Sequence, residues 1–191
     1  MNTVTNDMVS RKTPPDTLAG ACMGLAVIAF LGSALADAAW GWEGTAGAVY
    51  GVGSLLLVAA GFLLVATQVQ LHKIHGGLGR AAQVGIAVSA LGALLSFVSW
   101  AVVLWGTVLG VGTLLFGTAV LRQGRVPRPL ALTLTWAAPA VAAAAWAGAI
   151  LSGGEDSAVS TVADVGVGVA LLVLAWGLIG VGRWSASVEP A

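Results

Sequence analysis

Charge is scarce in this sequence. Lys, Arg, Asp and Glu together make up 8% of the 191 residues, whereas 58% of the residues are hydrophobic. A soluble globular domain carries roughly 25% charged residues, so this chain does not have enough charge to cover a water-facing surface. The formal net charge is zero, and the sequence has no basic face with aromatic residues interleaved. We therefore expect no nucleic-acid partner.

Cysteine and catalytic motifs are scarce too. Cys22 is the single cysteine, which excludes a disulfide within the chain. The sequence has no phosphate-cradling glycine loop, no zinc-protease pattern and no nucleophile elbow. No basic residue lies deep in an apolar run, which disfavours a retinal protein, a voltage sensor or an ordinary proton-coupled transporter. The expectation is a protein without a cofactor.

Long apolar runs are what the chain does have. A helix needs about 20 apolar residues to cross a bilayer, and six runs reach that length. They predict an all-α, polytopic transmembrane bundle of six helices over residues 17–185, between a flexible tail at 1–16 and a short tail at 186–191. The run over 81–121 is too long for one span and is divided at the tryptophans of "SWAVVLWG". The predicted spans are 17–36, 46–68, 81–100, 102–121, 130–151 and 159–181.

Basic residues give a second test of the number of spans. With six spans, all eight Lys and Arg residues fall on one side, and Asp37, Glu43, Glu155 and Asp156 fall in the opposite loops. Short basic loops stay in the cytoplasm, so both termini are predicted to be cytoplasmic in a multi-pass protein of the plasma membrane. The basic residues are Arg11, Lys12, Lys73, Arg80, Arg122, Arg125, Arg128 and Arg183.

A secretory signal is the alternative for the first span. Arg11-Lys12, the apolar stretch after them and Ala34-Leu35-Ala36 resemble such a signal with its small-residue cleavage site. Cleavage after residue 36 would leave five helices and an external amino end. The run is longer than a usual signal core and its preceding tail is long, which favours a retained helix.

Small residues at four-residue spacing predict close helix packing. The pairs are Gly20 and Gly24, Gly47 and Gly51, and Gly106 and Gly110. Helices in lipid associate through such close-approach faces rather than through the hydrophobic effect.

Carboxylates near the predicted outer surface are the candidate catalytic groups. Asp37 and Glu43 flank Trp40 and Trp42, an arrangement that suits cation binding or acid catalysis with rings stabilising a carbocation. Asp164 lies near the outer edge of the sixth span, where an acid is a functional hypothesis by default. The alternatives are an aromatic belt with solvated acids, and an Asp164 that meets the amino end of its own helix.

Aromatic and histidine side chains complete the candidate set. Trp136 and Trp146 flank an alanine run around Pro139, a pattern that fits either the wall of a ligand cavity or a helix-packing face. Tyr50 is a further candidate ligand-binding ring, although rings in spans more often pack. His72 and His75 lie one turn apart and would bind metal or haem only with partners from other helices. Otherwise they are interfacial and would sense cytoplasmic pH.

The stretch "LFGTAVLRQGRVPRPL" is similar to an inner-loop pattern of small, uncharacterised, multi-span bacterial integral membrane proteins. The matching positions are Phe116, Gly117, Arg122, Gly124, Pro127 and Arg128. "LHKIHGGLGRAAQVG" also looks like the basic loop before such a helix pair. The resemblance implies a multi-span bundle and no particular activity. The Ala, Gly and Val content, with Arg favoured over Lys, is likewise associated with a bacterial source.

The expected function is therefore broad. The sequence favours a non-catalytic membrane protein that binds a small apolar ligand or lipid, assists transport or contacts another membrane protein. The alternative is a membrane-embedded enzyme, an isoprenoid lyase or cyclase, that uses Asp37, Glu43 or Asp164 as a general acid. That alternative requires at least two of these carboxylates to meet above an apolar cavity.

Overall fold

Six α-helices make up the fold. The computed structural model describes residues 15–40, 47–75, 77–97, 102–151 and 158–188, and this part of the chain contains no strand. The predicted all-α class with six helices is confirmed. The helices are α1 Pro15–Trp40, α2 Gly47–Ile74, α3 Gly79–Leu95, α4 Val102–Gln123, α5 Arg128–Leu151 and α6 Ala158–Val188.

The helix ends differ from the predicted spans in an instructive way. The long apolar run does divide, but α3 ends at Leu95, ahead of the tryptophans that suggested the break. Conversely, α2 continues six residues past the predicted end at residue 68, to Ile74. An apolar run reports where a helix is hydrophobic, whereas helical hydrogen bonding continues through polar residues such as those before Ile74.

The six helices form a closed ring. Each helix packs against its neighbours in sequence, and α6 packs against α1. The helices α3 to α6 alternate in direction. Gly85 of α3 lies against Phe116 of α4 while the later Gly92 lies against the earlier Leu109, and the glycine contacts between α4 and α5 and between α5 and α6 run in the same opposed order. The ring therefore has two ends, at each of which three helices begin and three end.

Glycines set the distance between the helices of the pair α3 and α4. A Cβ atom added at Gly85 would lie 2.6 Å from the backbone nitrogen of Phe116, and one at Gly92 would lie 2.5 Å from that of Leu109. Gly112 faces the backbone and hydroxyl of Ser89 in the same interface. Backbone therefore packs on backbone here, which a larger residue would prevent.

The glycine pairs predicted from spacing are only partly at contacts. Gly20 lies against the carbonyl of Ala175, and Gly110 lies against α5 at Ala138. The prediction is wrong for Gly24, Gly51 and Gly106, because a Cβ there would meet nothing within 4 Å. Four-residue spacing puts two glycines on one helix face but does not say whether that face meets another helix.

Hydrophobic length distinguishes the helices. Two segments, Gly51–Ile74 and Leu104–Gln123, are long and apolar enough to cross a membrane by length and composition. Shorter apolar segments occur at Gly20–Ala29, Gly79–Leu95 and Val169–Trp184. The two long segments indicate membrane association.

We predict that Gly112→Ala destabilises the bundle, whereas Gly106→Ala on the same helix does not. The methyl group at residue 112 collides with Ser89, and overpacking of this kind costs about 1–3 kcal/mol. The methyl group at residue 106 enters open space and lowers only the entropy of the unfolded chain. Thermal unfolding of the two purified variants in one detergent checks this. Equal unfolding temperatures would show that α3 and α4 do not pack through Gly112.

Candidate functional site

Three segments from separate parts of the chain meet at one end of the ring. Arg125 Nη1, between α4 and α5, donates a 2.6 Å hydrogen bond to the backbone carbonyl of His75, which follows α2. The His75 ring stacks on Trp184 near the end of α6, with ring centroids 5.9 Å apart and planes 28° apart. The ends of α2, α4 and α6 therefore lie together.

This end carries the positive charge of the described chain. Six of the eight basic residues lie in described segments, each within a few residues of the end of an even-numbered helix or the start of an odd-numbered one. We call it the basic end. Its cationic residues are Lys73, Arg80, Arg122, Arg125, Arg128 and Arg183.

Backbone hydrogen bonds and glycines shape the turn that carries His75. The Leu78 amide donates a 3.1 Å hydrogen bond to His72 Nδ1, and the Gly77 amide donates a 3.0 Å bond to the His72 carbonyl. Gly77 and Gly79 have φ values of 97° and 80°, a region that glycine enters without steric cost. His72 thus satisfies a loop amide and fixes the path from α2 to α3.

A cleft of about 580 Å³ opens beside this turn. Its polar side consists of Arg125 and Arg128, at the connection into the first turn of α5, and the indole of Trp184 closes it from α6. The cleft therefore presents two cationic side chains next to apolar surface. Its apolar lining comes from Leu121, Val126, Pro127 and Leu132.

A second, apolar groove of about 450 Å³ runs between α5 and α6. Leu132 lines both the groove and the cleft, so the two lie next to each other. Trp136, which the sequence predicts as a ligand-binding residue, lines the groove and is 58% exposed. The other groove residues include Ala137, Ala140, Ala170 and Val173.

Trp146, the second predicted ring of α5, has a packing partner instead. Its Nε1 donates a 2.8 Å hydrogen bond to Thr107 Oγ1 of α4. Pro139 lies within α5, which continues through it from Arg128 to Leu151. The alanine-rich face thus contributes to a groove at Trp136 and to a helix contact at Trp146.

The predicted carboxylate site lies toward the opposite end of the ring. Asp37 is in the last turn of α1 and Asp164 in the second turn of α6, and these helices pack together. The side chains of Asp37, Trp40, Tyr50 and Asp164 lie outside the described part of the structure, as do residues 41–46, which include Trp42 and Glu43. Their convergence, and the enzyme that depends on it, stay predictions.

The two histidines differ in their hydrogen bonding and burial. Among the described residues no group of three His, Cys, Asp or Glu side chains is placed to hold a metal ion. His72 accepts a backbone hydrogen bond, whereas His75 Nε2 is buried without a hydrogen-bond partner in the described structure. Burial first, and the positive charge of Arg125 second, lower the pKa of His75 below its ordinary value of 6.5.

Five of the six residues of the inner-loop pattern have a structural role here. Phe116 is buried, Gly117 admits Thr135 of α5, and Gly124 turns the chain with φ of 61°. Pro127 and Arg128 line the cleft. The sequence pointed to this loop as a topology signal but missed the cleft, because Trp184 lies 56 positions beyond Arg128 and only the ring closure brings it there.

Comparison with known proteins adds no assignment. No family model, no curated protein and no solved structure matches the chain. The functional argument therefore depends on the geometry.

We predict that acid weakens the bundle through His75. Because the folded state lowers the pKa of His75, the unfolded chain binds the proton more readily, and the free energy of unfolding falls as the pH drops below 6.5. His75→Phe keeps a ring against Trp184 and removes the titration. Unfolding temperatures measured between about pH 7.5 and pH 5.5 should decline less in this variant than in the wild type. Parallel declines would contradict a role for His75.

Proposed function

We propose that the protein is a six-span protein of the plasma membrane, with both termini in the cytoplasm, that acts by binding a small molecule or lipid rather than by catalysis. The observation that carries the proposal is an apolar outer surface. Large apolar side chains point outward on all six helices, and the buried residues include the polar Thr67, Gln68, Ser89, Thr113 and Thr135.

The outward side chains support a lipid-facing surface. Leu55 is 72% exposed, Trp176 is 69% exposed and Ile28 is 64% exposed. Soluble monomers rarely expose contiguous apolar surface beyond a few hundred square ångströms, whereas hydrocarbon is the natural contact for such a belt. The exposed apolar residues include Leu25 on α1, Leu91 on α3, Val111 on α4, Trp136 on α5 and Val173 on α6.

The positions of the basic residues support the proposed orientation, with both termini in the cytoplasm. The cationic residues of the basic end lie next to the helix ends, and short basic segments remain in the cytoplasm. The shortest helix, α3, has 17 residues, or about 26 Å of helix at 1.5 Å per residue. A bilayer accommodates so short a span by local thinning or by flanking side chains that reach the interface.

The cleft and the groove support ligand binding as the activity. Arg125, Arg128 and Trp184 combine charge with an aromatic surface, and the adjoining groove is apolar. Such a combination positions and holds a ligand. Membership of the small multi-span bacterial proteins with the same inner-loop pattern is part of this proposal and rests on the six matching positions alone.

We predict opposite membrane sides for the loop at Gln123 and the acidic segment at Glu155. In a Cys22→Ala background, Gln123→Cys should react with a membrane-impermeant maleimide only after the cells are permeabilised. Gly154→Cys should react in intact cells. One helix, α5, separates the two sites, whereas four helices separate Gln123 from the amino terminus and two separate it from the carboxyl terminus.

The Cys22→Ala parent without a new cysteine provides the background signal. Labelling of both sites in intact cells, or of neither, would place them in one compartment. Either result would overturn the six-span arrangement.

A further inference from the structure

We infer that the cleft at the basic end and the groove between α5 and α6 together form one binding site for a single anionic phospholipid. Its phosphate would lie between Arg125 and Arg128, and one acyl chain would lie along α5 and α6. The inference rests on the proposed membrane placement and names the ligand class of that same site.

The headgroup end is defined by two cationic side chains. Arg125 and Arg128 both line the cleft. Arg125 is already oriented by its hydrogen bond to the His75 carbonyl, which leaves a guanidinium with further donors. Guanidinium groups bind phosphate oxygens through charge-assisted hydrogen bonds, so the cleft matches a phosphate better than a neutral headgroup.

The chain end is defined by helix register. Gly177 lies against Thr133 and Gly180 lies against Leu130, which aligns α5 and α6 as antiparallel neighbours. In the same register Ala140 faces Ala170, and both line the groove. From Leu132 to Ala140 the groove covers about 12 Å along α5, at 1.5 Å per residue. Its residues are small or apolar and offer an acyl chain no polar competition.

The cleft and the groove are close enough for one ligand to occupy both. Leu132 belongs to both linings, so a molecule with its phosphate at the arginines can extend its apolar part into the groove. A phosphodiester or phosphomonoester lipid has a charged phosphate joined to apolar chains, whereas a free phosphate ion would leave the groove unoccupied. A zwitterionic phospholipid carries the same phosphate, but its ammonium group would lie near the two arginines, and like charges repel. The site therefore favours a lipid whose headgroup is anionic overall.

The test uses the full-length protein in detergent, titrated with dioleoyl-phosphatidylglycerol or dioleoyl-phosphatidylcholine, with bound lipid counted by native mass spectrometry. One phosphatidylglycerol should bind before any phosphatidylcholine. Arg128→Gln should weaken that first binding about fivefold, as expected for one arginine near anionic lipid. The matched control is Arg122→Gln, which removes an exposed arginine of the same hairpin outside the cleft lining and should leave the binding unchanged.

A second pair of variants tests the groove. Ala140→Leu fills it and should weaken phosphatidylglycerol binding, while Ala143→Leu, at an exposed position of α5 outside the groove lining, should not. Glycerol phosphate at the lipid concentration should fail to displace the lipid, since it carries the charge without the chain.

Three results would overturn the inference. Equal binding of the two lipids would show that the site does not select anionic headgroups. Equal effects of Arg128→Gln and Arg122→Gln would show that the lipid does not bind at the cleft. Displacement by glycerol phosphate would identify a site for free phosphate instead. Failure of the membrane placement would be seen separately, in the labelling of residues 123 and 154. Loss of lipid selectivity with that labelling intact would refute only the lipid site.

Discussion

The cost of placing a charged side chain in hydrocarbon is the constraint on which the proposed arrangement depends. A basic side chain at the centre of a spanning helix costs about 2.5–3.5 kcal/mol even by the milder scales. In this chain the cost is avoided because the described cations lie at helix ends, and the ring brings those ends together through Arg125, His75 and Trp184. In the proposed arrangement, the positive charge that would orient the bundle in the membrane is the same charge that would bind an anionic headgroup.

Close packing is the second requirement, because the hydrophobic effect does not hold helices together inside lipid. Gly85, Gly92 and Gly112 allow α3 and α4 to meet backbone to backbone. The buried threonines Thr113 and Thr135 bond locally, by donating to carbonyls three and four residues earlier. The interior therefore combines large apolar side chains such as Phe116 and Leu64 with glycines at the closest helix contacts, while other bulky apolar residues such as Leu55 and Trp176 face outward.

Hydrophobic length and charge order were sufficient to predict six helices and the grouping of the arginines, since both properties are local in sequence. Helix faces were not predictable in the same way. Gly106 and Gly112 lie on one helix, both among apolar residues and threonines, yet only Gly112 contacts a neighbouring helix. The cleft was equally hidden, because it joins the loop at Arg125 to Trp184 through the contact of α6 with the rest of the ring. The predicted carboxylate site at Asp37, Glu43 and Asp164 rests on side chains that the described structure does not include.

Depth measurement by electron paramagnetic resonance tests the central claim most directly. A nitroxide would be placed on one outward position of each helix in the protein reconstituted in bilayers: Ile28, Leu55, Leu91, Val111, Ala143 and Val173. The six-span account predicts that all six labels relax readily with oxygen and poorly with a water-soluble nickel complex. If the labels on α3, α5 or α6 instead respond to nickel as strongly as a label at Gln123, those helices lie in water and the account is contradicted.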